Sequence, residues 1–527
     1  MTGKGSAFLG IGTALLLLSA LVTGCRQSAD PASPGPASAG PAGEVLVALS
    51  DLPEGFDPSL RNTVIGDIGG PIFESYMFHK APDGELVPRL LEKAEMAPDG
   101  SSWTLKLRDG IQFSNGDPAT AEDLKFSLDR FRGPETRSAQ AAQFRSGISD
   151  TTVVDKLTVR VDTPKPWITL PYFLGPANNE AVMVPKKYIE QVGWATFNLK
   201  PVGTGPYRLK EVVPGAVTYE AVYPHWRASP RFTRLKVVGV SEEQTRATML
   251  RTGQADLVQS ISPETKKQLD REGFVSVVIP ASRAPSIRFF GAFGSYRDNP
   301  LKKLEVRKAL TLAVNKQAIL DGIYGGFGEV AQIGLALPGY SLGAPKLPPT
   351  PYNPEEAKRL LAQAGYPGGF DLPIIATTIY PEDRIVALAV AGYWEKIGVR
   401  VTVRPMDFTV LRPLYAGKEF APELVGTAAV LANGATPLGV RDLQNSLWSK
   451  GILKSTDVAD AEIEKAAAAS TIDELVRYTE AAYRKTYDDF SMLPIAQVGV
   501  IWMANKKVGE IPVSPGRDFV LNSLTRP

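Results

Sequence analysis

The sequence predicts an α/β protein whose mixed sheets are flanked by helices and divided between two lobes. A chain of 527 residues is too long for one hydrophobic core, so its length favours more than one domain. Each half of the chain contains a strand–helix–strand pattern, and such a crossover places two parallel strands in one sheet. The 43 prolines favour a loop-rich α/β protein over a helical bundle.

Residues 1–24 have the pattern of an export signal. Lys4 supplies a short basic region, and the apolar run that follows is too short for a membrane-spanning helix. Thr23 and Gly24 then precede Cys25, the one cysteine in the sequence. This arrangement resembles the lipobox of bacterial lipoprotein precursors, and the resemblance implies cleavage before Cys25 and attachment of a lipid to its thiol.

Residues 26–43 read RQSADPASPGPASAGPAG and offer almost nothing to bury. A segment of this composition behaves as a flexible linker. We therefore predict that residues 25–43 tether a folded body to a membrane through the lipid on Cys25. A single cysteine also means that the chain forms no intramolecular disulfide.

The folded body begins with a strand, GEVLVALS, in which apolar residues alternate. A second strand, SWTLKL, alternates in the same way, and Asp109–Gly110 predicts a turn that leads back into a short strand, IQF. Thr120 followed by Asp123 predicts a capping box that begins the helix AEDLKFSLDRF.

Two βαβ units follow, one in each half of the body. The first joins RLKVVGV to ADLVQS through a helix for which Ser241 and Gln244 predict a capping box. The second joins LPIIATTI to VRVTVRP through the helix EDRIVALAVAGYWEKIG. Before it, LEVRKALTLAV predicts a helix with one apolar face, and Asn353 with Pro354 predicts the start of another.

Charge and motifs exclude several classes of function. The formal net charge of +2 creates no field that would attract nucleic acid. The two histidines, His79 and His225, lie in segments typical of surface or packing histidines rather than catalytic ones. Neither metal-ligand spacing nor a nucleotide-binding loop occurs in the sequence, so we predict no catalytic residue, no metal and no cofactor.

Residues 85–131, from ELVPRLL to SLDRF, resemble family 5 of the extracellular solute-binding proteins, the dipeptide, oligopeptide and nickel binders of bacterial ABC importers. The likeness continues through PVGTGPYRLKEVVPG and YNPEEAKRLLAQAGYPGGF almost to the C-terminus. It implies a type II-like periplasmic-binding-protein clamshell with an extra subdomain in lobe I. Lobe I is then expected at 44–285, lobe II at 286–495, and a C-terminal return to lobe I at 496–527.

The resemblance also implies three regions that contact the ligand. The candidate contact residues are Thr63, Val64, Ile65, Gly66, Arg288, Phe289, Phe290, Gly291, Asn433, Ala435, Arg441, Asp442 and Trp448. Arg288 or Arg441 is expected to neutralise a ligand carboxylate. Peptide binders of the family hold the α-amine with an aspartate in the third region, whereas this chain has Asn433 and Ala435 there and Asp442 at a different offset.

Together these features predict a lipid-anchored, monomeric receptor that captures peptides or peptide-sized solutes and delivers them to an ABC permease. The protein would face the periplasm or the outer surface of the cell. One alternative is an importer receptor for a non-peptide solute such as a metal chelate, a sugar or an opine-like compound. The others are a ligand-sensing lipoprotein that signals to a membrane partner and a cell-surface hydrolase.

Overall fold

The computed structural model describes residues 42–52, 55–60, 70–80, 85–137, 141–175, 181–227, 230–289, 299–333, 342–377, 381–406, 410, 425–431, 458–509, 511, 521 and 524. The strands are β1 (Glu44–Leu49), β2 (Met77–Lys80), β3 (Glu85–Pro88), β4 (Leu91–Met96), β5 (Ser102–Leu107), β6 (Asp150–Val153), β7 (Thr158–Asp162), β8 (Tyr207–Val213), β9 (Ala216–Ala221), β10 (Arg234–Gly239), β11 (Leu257–Gln259), β12 (Val275–Phe289), β13 (Gly328–Val330), β14 (Asp371–Thr377), β15 (Arg400–Met406), β16 (Val425–Leu431), β17 (Met492–Pro494) and β18 (Ala496–Ala504).

The helices are α1 (Ala121–Arg132), α2 (Ala141–Gly147), α3 (Leu170–Phe173), α4 (Lys186–Leu199), α5 (Glu243–Arg251), α6 (Pro263–Arg271), α7 (Leu304–Leu312), α8 (Lys316–Tyr324), α9 (Pro354–Gln363), α10 (Pro381–Glu395), α11 (Asp460–Ala467) and α12 (Ile472–Asp488). Short 3-10 helices cover Pro58–Leu60 and Pro300–Lys302. In the part of the chain described above, no helix combines the length and hydropathy needed to cross a membrane.

One large sheet runs through the body in the order β15-β14-β16-β12-β18-β11-β1-β10-β9-β8. Strands β13 and β17 pair with β18 and β12 at its centre. The long antiparallel strands β12 and β18 therefore connect a group of strands from the first half of the chain with a group from the second half.

Both predicted βαβ units are confirmed. Strand β1 lies between β10 and β11 and is parallel to both, and α5 connects β10 to β11. In the second half, β14 is parallel to β15 and to β16, and α10 connects β14 to β15.

A separate antiparallel sheet has the order β4-β5-β7-β6. The β2-β3 hairpin, which precedes β4 in the sequence, forms a two-stranded sheet of its own. Trp103, Leu105 and Leu107 are buried on β5 as the alternation predicts. The predicted strand IQF is wrong, because it forms a single bridge between Gln112 and Pro118. Strands β4 and β7 already occupy both edges of β5, so no edge is left for a third partner.

Of the helix starts predicted from capping residues, two are confirmed and one is wrong. Thr120 and Asp123 form the predicted capping box of α1, and the Asn353 side chain accepts a hydrogen bond from the Glu356 N–H at 3.0 Å to cap α9. The capping box of Ser241 and Gln244 is wrong, because α5 begins after Glu242. Gln244 Nε2 instead donates to Thr265 Oγ1 on α6 at 3.2 Å, so its side chain is engaged between helices.

Four apolar clusters form the core. The first surrounds the four-stranded sheet and includes residues of α11 and α12, the second packs α7 to α10 on β14, the third lies along β1 and β10, and the fourth packs α5 and α6 on the opposite side of β1. The predicted apolar face of α7 is confirmed, because Val306, Ala309 and Leu310 are fully buried. Leu521 and Leu524 belong to the third cluster, beside Val45 of β1.

Candidate functional site

The carboxyl ends of the parallel strands are the first feature that marks a binding site. In open α/β sheets, ligands bind outside these ends where the strand order reverses. Such a reversal occurs at β1, because the chain passes from β10 on one side of β1 to β11 on the other. A second reversal occurs at β14, which is followed along the chain by β15 on one side and β16 on the other.

A buried arginine fixes the first of these carboxyl edges. Arg246 on α5 is 3% exposed, and its guanidinium donates to the carbonyl oxygens of Val240, Ser241, Gln259 and Ser260 at 2.6–3.0 Å. Burial lowers the pKa of Arg246 from its ordinary value, with a smaller opposing effect from nearby glutamates. One side chain therefore holds together the carboxyl ends of β10 and β11.

The second carboxyl edge has a buried acidic residue. Thr377 ends β14, and its hydroxyl donates a hydrogen bond to Asp383, which is 2% exposed in the first turn of α10. A carboxylate in the first turn of a helix interacts favourably with the N-terminal end of the helix dipole. This contact ties the end of β14 to the start of the helix that follows it.

Arg288 and Phe289 lie on opposite faces of β12. Phe289 is fully buried with its neighbour Ile287, and its ring centroid lies 6.4 Å from that of Trp394 in the second apolar cluster. Arg288 is half-buried and pairs across the strands with Met492 of β17. Since side chains alternate along a strand, Arg288 shares the sheet face of Met492 and Pro494.

A small, partly open cavity adjoins this face. Ten residues line it, and none of them is charged. Its walls include Gln332, Tyr483, Tyr487, Phe490, Met492 and Pro494. The cavity therefore lies where α12, the segment after β13, and β17 meet, next to the strand that carries Arg288.

The other predicted contact residues lie outside the described part of the chain. They are Thr63, Val64, Ile65, Gly66, Phe290, Gly291, Asn433, Ala435, Arg441, Asp442 and Trp448, and the same holds for Cys25. Their roles stay predictions.

The histidine segments belong to the scaffold. A ring nitrogen of His225 lies 2.9 Å from the Thr204 carbonyl oxygen, to which Trp226 Nε1 also donates at 2.9 Å. His79 lies on β2, where it pairs in register with Leu86 of β3. Among the described residues, no group of three or more His, Cys, Asp or Glu side chains is arranged to hold a metal ion.

An ion-pair network lies next to His225. Glu74 is fully buried and pairs with Arg89 at 3.1 Å and with Arg227. Burial raises the pKa of Glu74, but the two guanidinium groups more than offset this effect and hold the pKa below its ordinary value. The network joins the segment before β2 to the loop after β9.

Sequence reasoning missed Gln332, Tyr483 and Arg246. None of them belongs to a recognisable motif. The positions of Gln332 and Tyr483 depend on packing between elements that are distant in the chain, whereas Arg246 is buried within its own βαβ unit. The sequence does not distinguish a buried arginine from an exposed one, so it carries no signal for the structural role of Arg246.

These features define a two-lobed α/β clamshell of the type II-like periplasmic binding proteins, with mixed sheets flanked by helices and an additional small sheet. The sequence model of a protein family, the bacterial extracellular solute-binding proteins, family 5 Middle, matches residues 85–439. The chain belongs to this family.

Individual relatives agree with this assignment. The glutathione-binding protein GsiB of Pectobacterium atrosepticum is 28% identical over 366 residues, which are 69% of this chain and 69% of that protein. The periplasmic binding protein DppA of Helicobacter pylori, in complex with the peptide STSA, has a TM-score of 0.76 and 21% identity and covers 92% of this chain and 98% of its own. NikA of Brucella suis, in complex with Fe(III)-EDTA, has a TM-score of 0.79 and 20% identity and covers 92% and 100%. At these identities the two structures establish the fold alone.

Proposed function

We propose that the protein is the lipid-anchored solute-binding component of an ABC importer, and that it captures peptides or peptide-sized solutes between two closing lobes. The observation that carries this proposal is the pair of parallel-strand groups, each with a carboxyl edge of its own, joined through β12 and β18. A ligand between two lobes loses most of its contact with water when they close, and a permease can then distinguish the closed form from the empty, open one.

The lobe boundaries proposed are 44–285 for lobe I, 286–495 for lobe II, and 496–527 for the C-terminal return. Four facts support them. Strand β12 runs across the first boundary, β18 begins at the second, and β18 pairs with β11 of the first group. Leu521 and Leu524 also pack in the same cluster as Val45.

Peptides are the ligand class we favour. The relative from Pectobacterium atrosepticum is named for glutathione, and DppA was solved with a tetrapeptide. Arg288 lies on the cavity face of β12, where a guanidinium would pair with a ligand carboxylate. NikA with its Fe(III)-EDTA supports the alternative of a metal chelate or another non-peptide solute.

The ligand class is tested by urea denaturation of the full chain carrying Cys25→Ala, with and without glutathione, dipeptides, tripeptides or Fe(III)-EDTA. A true ligand at 100 times its Kd should raise the free energy of unfolding by about 2.7 kcal/mol. Binding of Fe(III)-EDTA but no peptide would favour the alternative, and failure of every solute would contradict the receptor function.

The role of Arg288 is tested with peptides and their C-terminal amides. Arg288→Gln should weaken binding of the acid and leave binding of the amide unchanged, because only the acid offers a carboxylate. Arg400→Gln is the matched control, since Arg400 is 63% exposed in a surface ion pair with Asp371. An equal loss for acid and amide would contradict a charge-pairing role.

We further propose that residues 1–24 are removed, that Cys25 carries the lipid, and that residues 25–43 are the tether. The body would then act as a monomer facing the periplasm or outer surface, without catalysing a reaction. Cell fractionation should find the unaltered chain with membranes and the Cys25→Ala chain in the soluble fraction. Cys25→Ala protein that stays with the membranes would contradict the anchor, and turnover of a bound solute would favour the hydrolase alternative.

A further inference from the structure

The cavity beside β17 contains more hydrogen-bond acceptors than its surroundings satisfy. Gln332 Nε2 donates to the Val330 carbonyl oxygen at 2.9 Å, and this bond fixes which way the amide is turned. Gln332 Oε1 is buried and has no hydrogen-bond partner within the described ranges. A buried carbonyl oxygen without a donor costs roughly the desolvation of that group.

Three of the hydroxyl groups that line the cavity have already used their protons. Thr311 Oγ1 donates to the Arg307 carbonyl oxygen at 2.9 Å. Thr486 Oγ1 donates to the carbonyl oxygen of Tyr483 at 2.9 Å, and Tyr487 Oη donates to that of Pro348 at 2.8 Å. The oxygens of these three side chains therefore remain as acceptors, like Gln332 Oε1.

Positive charge lies just outside this uncharged lining. Arg288 is the cross-strand neighbour of Met492, and Lys308 Nζ lies 5.9 Å from the ring centroid of Phe490. An ammonium group in the cavity would be repelled by both cations, and a carboxylate would be repelled by Gln332 Oε1 and the three acceptor oxygens. A neutral group that donates hydrogen bonds fits the charges and the acceptors together.

We infer that this cavity is a subsite for an uncharged hydrogen-bond donor on an apolar stem, such as a carboxamide, whose N–H satisfies Gln332 Oε1. Tyr487, Phe490, Met492 and Pro494 supply apolar surface for the stem. In a peptide ligand the group would be an asparagine or glutamine side chain. The inference deepens the proposed function and depends on it only for the identity of the ligand that carries the carboxamide.

Benzamide and acetophenone test the cavity directly, because the first has an NH₂ group where the second has a methyl group. Binding to the Cys25→Ala chain is followed by NMR of ¹³C-methyl methionine, with the Met492 signal assigned through Met492→Leu. Benzamide should shift that signal and bind about tenfold more tightly than acetophenone, as expected for a donor that satisfies a buried acceptor.

Gln332→Leu should abolish this tenfold preference while the protein stays folded, since the substitution removes a buried acceptor that has no partner. Gln332→Met removes the same acceptor with a side chain of similar length and should also abolish the preference, so the test remains decisive if the leucine variant misfolds. Gln317→Leu is the matched control, because the Gln317 side chain is exposed on α8, where it donates to Asp321 at 2.9 Å.

Equal affinity for the two compounds, no shift of Met492, or a preference that survives in Gln332→Leu would each overturn the inference. A benzamide preference that depends on Gln332, in a protein that binds no peptide, would support the subsite and contradict the proposed peptide receptor.

Discussion

Replacement of Lys316 by methionine should stabilise the folded protein at neutral pH. Lys316 is 4% exposed and is the first residue of α8, where a positive charge meets the positive end of the helix dipole. Its Nζ donates to the carbonyl oxygen of Ala331 at 3.4 Å, and within the described residues it forms no ion pair with a carboxylate. The folded state therefore holds an ammonium group that has lost its water and gained little in return.

Burial lowers the pKa of Lys316 from 10.5 to about 8. At about 1.36 kcal/mol for each pKa unit, this difference corresponds to about 3 kcal/mol. Below pH 8 the side chain is charged in both the folded and the unfolded state, so the full cost is present. Between pH 8 and 10.5 only the unfolded state keeps the proton, and the stability of the unaltered protein rises with pH.

Urea denaturation at pH 7, 9 and 10.5 measures this dependence for the unaltered protein and for Lys316→Met. The variant should be more stable by about 3 kcal/mol at pH 7, and the two should converge toward pH 10.5. Lys358→Met, at an exposed lysine paired with Glu355, should show no such convergence. A difference that stays constant with pH, or a variant that is less stable at pH 7, would refute the desolvation account.

Three further substitutions test other contacts by the same denaturation measurement. Glu74→Gln should cost about 3 kcal/mol at pH 7, because it leaves two arginines around a buried neutral group, whereas Glu92→Gln in an exposed pair should change little. The cost of Glu74→Gln should be complete above pH 4.5 and disappear as the pH falls through the lowered pKa of the folded state; a cost that does not decrease as the pH is lowered below 4.5 would contradict this. Arg246→Lys should cost about 3 kcal/mol, because an ammonium group cannot reach four carbonyl oxygens from one position, and an unchanged stability would show that fewer bonds suffice. Gly369→Ala should cost about 2 kcal/mol, since its Cβ would overlap the backbone of Gly398. Gly368→Ala is the control, because a Cβ there meets open space. Equal costs for the two substitutions would refute the overlap.

The sequence predicts the elements whose signals are local. The alternation in β1 and β5, the caps of α1 and α9, and the apolar face of α7 all depend on residues within one or two turns or a few strand positions of each other. Those predictions are confirmed because short-range periodicity and capping act within one element. The two βαβ units follow from the same local patterns together with the rule for parallel crossovers.

The failures occur where a distant partner decides the outcome. IQF lacks a strand partner because β4 and β7 already flank β5, and Gln244 is drawn to Thr265 on the next helix. Phe289 packs near Trp394 in the second apolar cluster, a contact that no local pattern indicates, and its contact with a ligand stays a prediction. Gln332 owes its environment to α12 and β17, which no local pattern connects to it.

The position of β18 in the middle of the large sheet also constrains the order in which the molecule assembles. Strand β18 occupies the space between β11 and β12, yet it is made only after every other strand of the sheet. Until it arrives, β11 and β12 have unpaired edges, and the two strand groups have no shared partner to align them. Completion of the sheet must wait for contacts of very long sequence separation, which slows folding. In a nascent chain the large sheet thus stays incomplete until β18 has been synthesised.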